Sequence, residues 1–143
     1  MATPPRRPRS TVDPSYPRAM GPSARRAQSS TAAMLASCGI FQACLACGAP
    51  WGRAAYGGQH PGRLPGTYRG ISAVAGPAYG AAAALAASGT GSPRVRARGF
   101  TALTGFMVVG VAANLASRSR LERLIWTPVC AVTAGCAWLA RGG

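Results

Sequence analysis

The chain has 143 residues, 48% of them hydrophobic, with 16 Arg, no Lys and two acids, for a net charge of +14. Leu, Ile, Val and Phe together number only 23, too few large apolar side chains for a water-soluble chain to offset this self-repulsion and the entropy of ordering. The length allows one domain, and the two acids are Asp13, in an Arg- and Pro-rich N-terminal stretch, and Glu122, at a helix-capping position, which leaves no pair of carboxylates for acid–base catalysis.

The segregation of charge carries more information than its total. Residues 1–30 are rich in Pro, Ser and Arg and nearly free of large apolar residues. They read as a disordered basic tail in which Arg6, Arg7, Arg9, Arg18, Arg25 and Arg26 oppose Asp13 alone. A start at Met20 would remove much of it. The residues around Arg25-Arg26 do not fit a twin-arginine signal. Leu35-Ala36-Ser37-Cys38 has a lipobox pattern, but the apolar run continues past Cys38 instead of preceding it, so the segment reads as a retained helix.

Residues 31–143 read as a membrane domain. Four apolar blocks, 32–51, 71–88, 100–117 and 124–140, contain no Asp, Glu, Lys or Arg. Each approaches the roughly 17–25 residues that a helix needs to cross a bilayer. The first block ends at Pro50-Trp51, a helix breaker beside an interfacial aromatic. Residues 52–70 follow with Gly57-Gly58, Pro61-Gly62 and Pro65-Gly66, a density of turn residues that predicts a compact irregular loop.

In the second block Gly76, Gly80, Ala84 and Ser88 recur at every fourth position and predict a close-packing face, with a kink at Pro77. A short loop with Arg94, Arg96 and Arg98 leads into the third block. Between the third and fourth, Ser119 and Glu122 have capping-box spacing, which predicts a helix starting near Arg120 and a Glu122 carboxylate reaching back to the Ser119 N–H. Trp126 stands at the interface and Pro128 bends the first turns.

The fold expectation is therefore all-α: a four-helix transmembrane bundle with a disordered basic N-terminal tail. With the N-terminus inside, the inner segments hold ten Arg and the outer six, which places both termini in the cytoplasm. The arginines stand in short groups between apolar blocks without interleaved aromatics, so they read as topology signals and lipid-headgroup contacts, not as a nucleic-acid-binding surface.

The chemistry on offer is sparse. No acid, His or base lies within a span, where proton relays and ion-coupled transporters keep one. Gln42, Thr101, Thr104, Asn114, Thr127 and Thr133 read as interhelical hydrogen-bonding groups. Cys44-Leu45-Ala46-Cys47 puts two thiols on one side of a helix. With Cys130 in the same half of the fourth span, this leaves a thiol–disulfide oxidoreductase as an alternative. His60 is in a different segment from every Cys and no zinc spacing occurs, so neither a metal nor a cofactor is expected. There is no P-loop, nucleophile elbow or zinc-protease motif.

Two segments carry a resemblance. Gly48-Ala49-Pro50-Trp51-Gly52, with Gly57-Gly58 and His60-Pro61-Gly62-Arg63-Leu64-Pro65 behind it, resembles the first loop of a family of uncharacterised small four-helix bacterial integral membrane proteins. Asn114-Leu115-Ala116-Ser117-Arg118-Ser119-Arg120-Leu121-Glu122-Arg123, then Trp126-Thr127-Pro128, resembles their third connection and the start of their fourth helix. The likeness covers about residues 40–140. It implies the four-span fold and a plasma-membrane location, and it brings no catalytic residue with it.

Both segments fall on one face in the expected topology, where they are expected to pack together with Glu122 paired to Arg63 or Arg69. Trp51, His60, Arg63, Asn114, Glu122, Arg123 and Trp126 form the candidate site there. The expected function is a non-enzymatic membrane scaffold or partner-binding subunit, with the bilayer and a protein partner or second copy as its contacts. An oligomeric small transporter or channel is the other alternative.

Overall fold

A computed structural model describes residues 20–143 as four α-helices, with no strand among the described residues. The helices are α1 (Pro22–Cys47), α2 (Gly66–Ser88), α3 (Pro93–Leu115) and α4 (Arg120–Ala140), and all four are long and apolar enough to cross a membrane. Two 3-10 turns, Gly52–Ala54 and Tyr56–Gly58, shape the α1–α2 loop.

Each helix is longer than its apolar block at one end. Pro22–Ser30, read from sequence as part of the tail, is the first stretch of α1, begun by Pro22, whose missing N–H suits a first turn. Residues 1–19 lie outside the described residues, and the remainder of the tail reading lies with them. Likewise Arg94, Arg96 and Arg98 belong to α3, not to a loop. Hydropathy marks the part of a helix suited to lipid, whereas backbone hydrogen bonding continues through polar turns beyond it.

α1 packs against α2 and α4, and α3 packs against α4; α2 and α3 make hardly any contact with each other. The seams are made of small and polar residues. Leu35, Thr31, Ser72 and Thr133 are fully buried, while Ile40, Val74, Leu85, Val109, Leu124 and Leu139 are all more than 60% exposed. Most of the large apolar side chains on the helices thus face outward, with Leu35, Leu45, Phe100 and Met107 as buried exceptions.

The packing face of α2 differs from the expected one. Gly76 is buried and the Gly80 backbone nitrogen would stand 3.4 Å from a Cβ added to Gly39 of α1, but Ala84 and Ser88 are exposed and face away. The inward positions are Ser72, Gly76, Tyr79, Ala83 and Ala86. A strict four-residue repeat drifts about 40° per step around a 3.6-residue helix, whereas alternating steps of four and three stay on one side. At the crossing with α1, a Cβ added to Gly39 would stand 3.2 Å from the Gly76 carbonyl oxygen, so the two backbones meet there without intervening side chains.

The hydroxyls expected to bridge helices mostly serve their own. Thr101, Thr104 and Thr133 donate to carbonyls four residues back. Gln28 makes the bridge instead, donating from Nε2 to the Ala86 carbonyl of α2 at 2.6 Å.

Candidate functional site

The α1–α2 loop folds back over one end of the bundle and joins the α3–α4 turn. Three side chains of that turn and of α4 make the junction. Ser119 Oγ donates to the Arg53 carbonyl at 2.8 Å. Trp126 Nε1 donates to the Ala54 carbonyl at 2.6 Å. Glu122 Oε2 accepts the Gly57 N–H at 3.0 Å and also the Ser117 hydroxyl. The packing of the two segments expected from sequence is therefore present.

Its chemistry is different from that expected. Ser119 Oγ accepts the Glu122 N–H at 3.2 Å, as a cap should, but the Ser119 N–H goes to Ser117 Oγ at 3.1 Å. The reciprocal half of the capping box is thereby taken over by Ser117, which frees the carboxylate to hold the loop. Glu122 does not pair with Arg63 or Arg69: Arg69 Nε donates to the Ala46 carbonyl at 2.9 Å, and Arg63 lies exposed over Gly48.

The junction requires glycine at position 58. Gly58 has φ +70°, and a Cβ there would stand 2.6 Å from Ser119 Cβ and 2.9 Å from the Arg53 carbonyl oxygen. Tyr56 has φ +53°, a conformation uncommon for a side chain of this size. It is held by a 2.8 Å hydrogen bond to Ser72 Oγ and by its ring lying 4.8 Å from that of Tyr68.

Beneath this cap is a cavity of about 220 Å³, bounded by all four helices and by Ala54, Ala55 and Tyr56 of the loop. Phe41, Tyr56, Tyr79 and Trp126 provide aromatic walls, with the Phe41 and Trp126 rings 4.5 Å apart. Gln42, Asn114 and Glu122 provide polar groups, and Cys38, Cys130 and Met107 line the cavity with sulfur. From Glu122 to Cys130 the cavity follows α4 for about 12 Å at 1.5 Å per residue.

Two acceptors in it are unassigned. Gln42 Oε1 is buried with no hydrogen-bond partner, and both Glu122 bonds fall on Oε2, leaving Oε1 out of them. Gln42 Oε1 is the buried one of the two, and native structures leave few buried polar atoms unpaired. Asn114 is better satisfied, with Nδ2 donating to the Gly110 carbonyl at 2.8 Å and reaching Cys130 Sγ at 3.7 Å.

Of the seven sequence-predicted site residues, Asn114, Glu122 and Trp126 line the cavity. Trp51 stacks on the ring of Phe41 at 5.8 Å, and His60 tilts against Tyr68 at 5.1 Å, so both buttress the cap. Arg63 and Arg123 are exposed and stand outside the cavity. The thiols of the redox reading do not converge on it: Cys130 shares the cavity with Cys38, not with Cys44 or Cys47, and Cys47 is exposed. Phe41, Tyr79, Cys38 and Tyr56 were missed as site residues. The signal for Tyr79 was available, since it is an aromatic interrupting a run of small residues. No protein-family model, curated protein or solved structure matches the chain.

Proposed function

We propose that this is a non-enzymatic multi-pass membrane protein whose working part is the capped cavity, and that the cavity binds a small organic ammonium ion. Large apolar side chains facing outward over small and polar seams support the membrane reading: lipid solvates them, and small seam residues let helices approach. One observation carries the ligand class. Glu122, the only acidic side chain among the described residues, lines a cavity walled by four aromatic rings. Aromatic faces attract cations, and Gln42 Oε1 and Glu122 Oε1 supply acceptors for ammonium N–H groups. An apolar cavity of roughly 150 Å³ holds benzene, so about 220 Å³ suits one ring with a short polar arm. In this reading the chain belongs with the small four-helix bacterial membrane proteins it resembles, and it serves as a binding subunit.

Calorimetric titration of 2-phenylethylammonium against its neutral counterpart 2-phenylethanol tests this. Saturable binding of the ammonium, at least tenfold weaker for the alcohol and for Glu122→Gln, is expected. Gln retains an oxygen for the Gly57 N–H while removing the charge. Equal binding of both compounds, or no change in Glu122→Gln, would refute the ligand class.

Both termini are cytoplasmic in this reading, with the cap outside in the plasma membrane. The described residues carry six Arg at each end, so the bias rests on Arg6, Arg7, Arg9 and Arg18. A single cysteine placed at the exposed Gln59, with the native cysteines replaced, should react with an impermeant maleimide on intact cells. Protection until lysis would reverse the orientation.

A further inference from the structure

The opposite end of the bundle is built differently. α2 and α3 leave a groove of about 250 Å³ between them, open along the side of the bundle. Leu85 and Ala86 of α2 and Val95, Phe100 and Leu103 of α3 give it apolar walls, and Thr90 and Arg96 stand at its polar end. From Val95 to Leu103 it follows α3 for about 12 Å, the depth reached by the upper part of one acyl chain.

Arg96 Nη2 donates to the Gly143 carbonyl at 3.1 Å, while Arg96 Nε is buried without an acceptor. Arg94 and Arg98 flank it, both exposed, and Arg25, Arg26 and Arg141 lie at the same end. Glu122, the sole acid among the described residues, is at the other end. The groove therefore joins an apolar slot to a cluster of cations with no acidic side chain at that end among the described residues.

We infer that this groove binds one anionic phospholipid, its acyl chain between α2 and α3 and its phosphate on the Arg96 guanidinium, with Arg94 and Arg98 beside it. Charge complementarity selects this occupant. Basic pockets between membrane helices hold anionic headgroups, and guanidinium matches phosphate geometry through paired N–H donors. A second copy of the chain would bring the same arginines against these. A zwitterionic lipid would fill the slot and leave the positive charge unmatched. The inference rests on the membrane-spanning reading and is independent of the ligand in the capped cavity.

Native mass spectrometry of the full chain in mild detergent, with phosphatidylglycerol or phosphatidylcholine of identical chains, tests it. One phosphatidylglycerol should be retained at least tenfold over phosphatidylcholine, and Arg96→Gln should reduce that preference several-fold. Gly99 lines the groove and a Cβ there meets nothing within 4 Å. Gly99→Leu should therefore displace the lipid while leaving the unfolding temperature in lipid-free detergent unchanged. Equal retention of the two lipids, or retention unaltered in both variants, would overturn the proposal. So would competition by inorganic phosphate as effective as that by the lipid, which would indicate an anion site without a chain slot. Alkaline carbonate extraction addresses the spanning reading separately: release of the protein from membranes would refute that reading itself.

Discussion

The two ends of the bundle carry six arginines each among the described residues, but only the cap end has an acidic side chain there, and the two ends are closed in different ways. At the cap end, Ser119, Trp126 and Glu122 take the Arg53 and Ala54 carbonyls and the Gly57 N–H. A loop dense in Gly and Pro is thereby tied to a turn more than fifty residues later. At the other end the short α2–α3 connection is satisfied locally, by Ser88 with Thr90 and by the Ser92 cap on α3, and nothing draws the two helices together. A connection that reaches across the bundle closes a cavity with a polar interior. A connection that satisfies only itself leaves a groove open at the side.

This comparison predicts unequal sensitivity to substitution. The largest effect is expected for Gly58→Val, which forces a branched side chain into positive φ and against Ser119. The loss should be about 2–3 kcal/mol, read as a lower unfolding temperature in detergent and faster proteolysis between residues 52 and 62. Trp126→Phe keeps the ring against Phe41 but leaves the buried Ala54 carbonyl without its donor. About 1–2 kcal/mol should be lost, and a larger loss than for Gly58→Val would mean that the hydrogen bond, not loop geometry, holds the cap. At the opposite end, Thr90→Ala removes an exposed hydroxyl paired within its own turn and should change stability by less than about 0.5 kcal/mol. A destabilisation matching that of Trp126→Phe would erase the distinction between the ends.

Much of this was legible in the sequence for identifiable reasons. Four apolar blocks gave four helices because helix formation and lipid-compatible composition coincide over their middles. The pairing of the first loop with the α3–α4 turn followed from connectivity, since both stand at the same end of an antiparallel bundle. The details failed where one residue had two possible partners. Glu122 satisfied the capping-box spacing, yet Ser117 took the Ser119 N–H and left the carboxylate for Gly57. Ala84 and Ser88 continued a packing repeat begun by Gly76 and Gly80, but their spacing winds them outward. The cavity was least legible, because Gln42, Tyr56, Tyr79 and Cys130 come from four separate elements and the Tyr56 conformation depends on Ser72.

Central to this account is Glu122, which ties the cap to the bundle and also faces the cavity. Amide hydrogen exchange at Gly57 examines both roles at once. The Gly57 N–H should exchange far more slowly than the amides of residues 89–91, and more slowly still with 2-phenylethylammonium bound. Exchange at Gly57 as fast as in the α2–α3 connection, and unaffected by the amine, would contradict it.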